Sequence, residues 1–227
     1  MGAPVVLVHG WGGSFAATWQ RSGFTELLRD AGREVIGVDL LGHGTAPKPH
    51  DPAAYADLGT RVLDALPAQP VDAIGFSLGG LTLLRLAAEH PQRFAHIVVA
   101  GVGRNAMEVD EAANSRVLAA VEGTAPDDDT LARVFAQYAA QDGNDPQALA
   151  AVLRSGRGPL TPAELARVTC PVLVAIGDRD FAGPADGLVA ALPHATLKVL
   201  RNLDHFATTE AFSFIDASLE FIDAIPG

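Results

Sequence analysis

The chain has 227 residues, is 48% hydrophobic and 19% charged, and carries 16 Lys and Arg against 27 Asp and Glu, a formal net charge of −11. This apolar content is too high for disorder and enough for one sizeable core, and the negative charge argues against nucleic acid or an anionic membrane surface as a partner, since both would repel it. Cys170 is the single cysteine, which excludes an intramolecular disulfide, and no stretch reaches the roughly 20 continuous apolar residues of a membrane helix.

The N-terminal Met1-Gly2-Ala3-Pro4 has no basic segment, so no signal peptide is expected and the cytoplasm is the expected compartment. From there, short β-branched runs at 4–8, 34–40, 71–76, 96–100, 171–176 and 196–200 predict strands. Several are near-continuous aliphatics, as strands buried on both faces should be. Helices are predicted between or after them at 24–31, 53–66, 78–90, 185–192 and 208–225. The alternation predicts an α/β fold: a mostly parallel sheet of about six strands with helices on both faces.

Residues 104–159 break the rhythm. They are Ala-rich, acidic and helix-prone, punctuated by Gly and Pro, and predict a small cap of three or so helices inserted into a core made of residues 1–103 and 160–227. Within this stretch Asp127-Asp128-Asp129 reads as a helix N-terminus, where negative charge is favoured. The core pattern resumes after Thr161-Pro162-Ala163-Glu164, which has the form of a capping box with proline at the first helical position.

The chemistry begins at Gly75-Phe76-Ser77-Leu78-Gly79-Gly80, between a predicted strand and a predicted helix. A nucleophile at such a turn needs small residues two before and two after it, because the backbone bends sharply there. The Leu78 N–H then lies at the positive end of the helix and can stabilise an oxyanion. A serine hydroxyl needs a base held by an acid. Both are expected later in the chain, in loops beyond strand ends. The run 171–176 leads into Gly177-Asp178-Arg179-Asp180, and 196–200 leads into the loop holding Asp204-His205-Phe206. Of seven histidines, His205 alone follows the last strand.

With these motifs the chain resembles the α/β-hydrolase family over nearly its whole length. His9-Gly10-Trp11-Gly12-Gly13 is similar to the family's oxyanion loop, Trp19 matches a frequent tryptophan, and Asp39-Leu40-Leu41-Gly42-His43-Gly44 is similar to its D-x-x-G-x-G turn. The resemblance implies Ser77 as nucleophile, Asp180 rather than Asp178 as acid, His205 as base, and the Trp11 and Leu78 N–H groups as oxyanion donors. Among family members the elbow looks closest to carboxylesterases and the cofactor-free haloperoxidase or perhydrolase group. Three positions depart from relatives: Leu203 stands where glycine usually precedes the histidine, Leu81 replaces the arginine of menaquinone-pathway synthases, and serine at 77 excludes dehalogenase and epoxide-hydrolase chemistry. The family core commonly starts with two further strands, so the first strand here corresponds to its third. The run 34–40 is then an edge, and either a monomer or a homodimer joined there is expected.

The remaining histidines have structural readings. His9 and His43 are expected to hold their loops, His90-Pro91 ends a helix, and His50, His96 and His194 have no partner signature. No cluster has metal-ligand spacing, and 10–13 lacks the lysine of a phosphate loop, so neither metal nor cofactor is expected. The expected activity is hydrolysis of a small, mostly apolar carboxylic ester through an acyl-enzyme. Alternatives are a thioesterase, lactonase, perhydrolase or C–C hydrolase using the same residues, or a non-catalytic ligand-binding receptor on the same fold.

Overall fold

A computed structural model describes residues 2–126, 128–156 and 158–226; Asp127 of the acidic run lies outside them. The β-branched runs form six strands: β1 (Val5–Val8), β2 (Val35–Val38), β3 (Val71–Phe76), β4 (Phe94–Ala100), β5 (Val172–Gly177) and β6 (Ala195–Leu200). They make one sheet in the order β2-β1-β3-β4-β5-β6, with every neighbouring pair parallel. All residues of β1, β3 and β5 are buried, which explains their unbroken aliphatic character.

Helices cover both faces. They are α1 (Phe24–Asp30), α2 (Thr60–Ala65), α3 (Leu78–Glu89), α4 (Glu111–Val121), α5 (Thr130–Ala139), α6 (Pro146–Arg154), α7 (Pro162–Leu165), α8 (Asp186–Ala191) and α9 (Phe212–Phe221). Because side chains alternate along a strand, Val6 and Val8 join the core beneath α2, α3 and α8. Val5 and Leu7 join the opposite one, with Trp19, Phe24 and Leu28 on one side and Phe214 and Leu219 of α9 on the other. Trp19 is thus a core residue, its ring tilted between Phe24 and Phe214.

Two predicted helices are shorter than expected. The stretch 53–66 is a 3-10 turn at Pro52–Tyr55 followed by α2, because the Asp57 carboxylate accepts the Gly59 N–H and the Thr60 hydroxyl and diverts the backbone from helix. The stretch 208–225 holds a separate 3-10 turn, Thr208–Glu210, before α9 begins. Local capping is as expected at 161–164: Glu164 N–H donates to Thr161 Oγ1 (3.2 Å) and Thr161 N–H to Glu164 Oε2 (2.8 Å).

Four helices, α4 to α7, lie between β4 and β5, and the first three of them, α4 to α6, fall within 104–159, where no strand was predicted. Asp129 is the N-cap of α5, accepting the Ala132 N–H at 2.9 Å, and also pairs with Arg116 of α4. That pairing holds the Asp129 carboxyl down at about 2. β2 is an edge strand, and the Phe15 ring lies against its Gly37.

In a parallel sheet all carboxyl ends share one edge, where loops can converge. Here the segments after β1, β3, β5 and β6 meet at that edge, and they carry Trp11, Ser77, Asp180 and His205. At the opposite edge, buried Arg33 pairs with Asp72 and donates to the Ala3 and Ile222 carbonyls, fastening the segments before β1 and after α9 to the sheet.

Candidate active site

Ser77 follows β3 with φ 50° and ψ −114°, a backbone conformation side chains rarely adopt, and α3 starts at the next residue. Its N–H donates to the Ala100 carbonyl (2.8 Å) and its carbonyl accepts from Leu81 N–H (2.9 Å), so the turn is locked from both sides. The flanking glycines are required by contact. A Cβ on Gly75 would sit 2.7 Å from the Gly79 carbonyl carbon and Gly80 nitrogen, and one on Gly79 would sit 2.4 Å from the Val8 carbonyl oxygen. The strained serine is held by close backbone packing on two elements.

Across from it, His205 Nε2 lies 3.0 Å from Ser77 Oγ. His205 Nδ1 lies 2.9 Å and 3.0 Å from the two carboxylate oxygens of Asp180. With Nδ1–H donating to the carboxylate, Nε2 presents a lone pair to the serine hydroxyl. Asp180 is itself aimed by the Ala182 N–H, which donates to Oδ1 at 2.8 Å. Its side chain is fully buried and that of His205 is 6% exposed, so the pair lies away from bulk water. Asp178, the other acid of the loop, is exposed. Leu203, at the usual glycine position, has no left-handed backbone; the left-handed residue is Asn202 (φ 59°), so a side chain at 203 is tolerated.

The Gly10–Trp11 peptide passes beside the serine: a Cβ on Gly10 would meet Ser77 Cβ at 3.3 Å. The turn is closed by Gly13 N–H donating to Gly10 O at 3.1 Å. Among the described residues the backbone N–H groups of Trp11 and Leu78 donate to no protein acceptor, so two donors near Ser77 are unspent. His9 supports this loop. Its Nδ1–H donates to Gly10 O (2.7 Å), its Nε2 accepts Leu40 N–H (3.1 Å), and burial lowers its pKa, keeping it neutral. Asp39 is buried enough to resist ionisation, but the Thr45 and Phe15 amides and the Thr45 hydroxyl outweigh that and hold its pKa down.

Sequence reasoning missed the aromatic wall around His205. Phe181 and Phe76 lie with ring centroids 4.3 and 4.8 Å from the imidazole, and Phe206 stands edge-on at 5.7 Å. Phe135 of α5 extends the wall to Phe181, Phe206 and Trp11, and Tyr138 packs on Phe206. The available signals were adjacency, Phe181 and Phe206 directly following the acid and the histidine, and the i, i+3 spacing of Phe135 and Tyr138. A cavity of about 630 Å³ opens against His205, with Leu131, Val134, Phe181 and Phe206 on its apolar side and Arg116, Arg179 and Asp204 among its polar lining.

Elsewhere, His43 is fully buried with Nδ1 3.0 Å from Leu41 O, and burial first, then the nearby His9, pushes its pKa down to about 3. Two histidines without a partner signature have one in the fold: His50 with Asp145 (2.9 Å) and His96 with Asp72 (2.8 Å). Burial pushes the Cys170 thiol up to about 11. Among the described residues no three His, Cys, Asp or Glu side chains gather as a metal site, and no helix is long and apolar enough to cross a membrane.

Comparison with known proteins gives these features a context. A pimeloyl-[acyl-carrier protein] methyl ester esterase of Neisseria meningitidis is 44% identical over 93 residues, covering 39% of this chain and 32% of that protein. A 2-hydroxymuconate semialdehyde hydrolase of Pseudomonas sp. (strain CF600) is 36% identical over 106 residues, covering 44% of this chain and 36% of that protein. The chain thus matches about a third of the length of these relatives. Among solved structures, a hydrolase from Pseudomonas aeruginosa PA01 superposes with a TM-score of 0.72 at 25% identity, covering 98% of this chain and 91% of that one. The model of the alpha/beta hydrolase family matches residues 5–222, and with its six-stranded parallel sheet and strained serine elbow the chain belongs to that family.

Proposed function

We propose that the chain is a serine hydrolase that cleaves a small, mostly apolar, uncharged carboxylic ester through an acyl-enzyme. The observation that carries this reading is the unbroken hydrogen-bonded series Ser77 Oγ, His205, Asp180. Ser77 attacks the ester carbonyl while His205 Nε2 takes its proton. His205 then returns that proton to the leaving alkoxide, and in the second half-reaction it activates the water that releases the acid. Asp180 fixes the imidazole tautomer and stabilises the imidazolium. The tetrahedral oxyanion is held by the Trp11 and Leu78 N–H groups, which the fold leaves unspent for it. Residues 104–159 act as a cap that shapes the pocket, and the aromatic wall favours apolar substrates.

Ester over other bonds is favoured by the relative named as a methyl ester esterase. Thioesters, lactones and C–C bonds fit the same residues and are the next substrates to screen. A binding-only receptor on the same fold is the alternative of another class, and slow or absent turnover of a tightly bound ligand would favour it. The test is labelling with a fluorophosphonate probe. The adduct is expected on Ser77, and Ser77→Ala is expected to lose the label and about 10³-fold or more of p-nitrophenyl ester turnover. An adduct on any other serine overturns the reading.

A further inference from the structure

The turn after α5 carries a side chain that reaches the oxyanion loop. Asn144 Nδ2 donates to Gly12 O at 2.8 Å and to Tyr138 O at 2.9 Å, spending both of its protons on carbonyls of two different segments. Among the described residues no other donor reaches the Gly12 carbonyl. Asn144 is placed firmly: its own N–H donates to Gln141 O (3.0 Å), and the next residue, Asp145, is the N-cap of α6, accepting the Gln147 and Ala148 amides. Two further contacts join the same pieces. The Trp11 indole N–H donates to Leu149 O of α6 at 3.2 Å, and Gly12, with φ 71°, lies so close to Tyr138 that a Cβ there would meet its ring at 2.8 Å.

The turn at 10–13 is therefore held from below by His9 and from above by the helices inserted between β4 and β5. The upper hold fixes the peptide after Gly12, one residue beyond Trp11. A shift of the Gly12 carbonyl rotates the turn that carries the Trp11 N–H. We propose that Asn144 is a positioning residue for this hydrolase: by tying Gly12 O to Tyr138 O it sets the aim of the Trp11 amide, so oxyanion stabilisation depends on how α5 and α6 dock. This rests on the reading of Trp11 as an oxyanion donor. The effect belongs to the transition state, where the negative oxygen forms, and not to ester binding.

The test uses Asn144→Asp, which keeps the shape and turns carboxylate oxygens toward two carbonyls, and Asn144→Ala, which removes the donors without adding charge. Measured are kcat, KM, the thermal midpoint, and the inhibition constant of an alkyl boronic acid, whose serine adduct is tetrahedral and places an oxygen where the oxyanion forms. Both variants are expected to lower kcat about 10–100-fold, as a misplacement of an ångström or less does. KM should stay within about twofold, and boronate affinity should fall by a factor similar to kcat. Folded variants with unchanged kcat and boronate affinity, or a loss confined to KM, overturn the proposal. If one variant does not fold, the other decides by the same readouts. Ser77→Ala separates the two readings: if it binds the boronate as well as the wild type does, the hydrolase reading fails; if it loses binding while the Asn144 variants keep it, only the positioning role fails.

Discussion

Replacing Gly79 by alanine places a methyl carbon 2.4 Å from the Val8 carbonyl oxygen and 2.5 Å from that of His9. Both neighbours are backbone, at the end of β1, which is paired on both sides by β2 and β3, so neither can rotate away as a side chain would. Reaching an ordinary contact of 3.4 Å requires α3 to withdraw from β1 by about 1 Å. That movement carries Ser77 and the Leu78 N–H with it, away from His205 and the 10–13 turn. A displacement of this size costs about 10²-fold in turnover, and the overpacking costs about 1–3 kcal/mol of stability. For a chain of this length the stability loss lowers the thermal midpoint by roughly 2–12 °C. Gly80→Ala is the matched comparison. Its methyl meets the Val102 side chain at 2.8 Å, which can shift, and the Gly75 carbonyl oxygen only at 3.1 Å, so a smaller loss is expected. The assay is p-nitrophenyl butyrate hydrolysis beside scanning calorimetry for both variants. Wild-type turnover and midpoint in Gly79→Ala, or a larger loss in Gly80→Ala, would refute the account of why this turn needs glycine.

Asp180→Asn is expected to lower kcat about 10³–10⁴-fold, since the amide no longer fixes the imidazole tautomer, while Asp178→Asn, on the exposed side of the loop, leaves it near wild type; steady-state kinetics of the two variants decides. Butyrate and hexanoate esters should be hydrolysed faster than long-chain ones, because the helices over the site form only a small cap and Phe135, Phe181 and Phe206 crowd the space beside His205; a rate that rises steadily to palmitate contradicts this. Acid should destabilise the fold partly through His43, whose pKa is held at about 3 against 6.5 when unfolded. The depressed histidine binds its proton only on unfolding within that interval, so its contribution is complete above about pH 6.5 and is lost as pH falls toward 3, at about 1.4 kcal/mol per pH unit. Urea titrations should therefore show a shallower acid slope for His43→Phe than for wild type, and parallel slopes would contradict the argument.

What could be read from the residues alone was local. The elbow at 75–80 was legible because a strand, a bend and a helix start within six residues, although the contact that makes glycine necessary at 79, with the Val8 and His9 carbonyls, was not. The capping box at 161–164 was legible for the same reason, both of its hydrogen bonds closing within one turn. The parallel sheet followed from aliphatic runs alternating with helical ones, and it already sent the loops carrying Ser77, Asp180 and His205 to one edge. Where local competition was subtle the reading failed, as at 53–66, where one side chain, Asp57, outcompetes helical hydrogen bonds.

Tertiary structure decided what lies between distant residues. Ser77 and His205 are 128 positions apart and meet at 3.0 Å only because β3 and β6 end on the same side of one sheet. Position in the loop did not by itself separate Asp178 from Asp180. In the fold the Ala182 amide holds the Asp180 carboxylate toward the imidazole, while Asp178 is exposed. His50 and His96 gave no sign of their carboxylate partners, 95 and 24 residues away, and Asn144 none of its hold on Gly12, 132 residues earlier. Such contacts follow from how whole helices dock on the sheet, a sum over many weak packing interactions that no short spacing records.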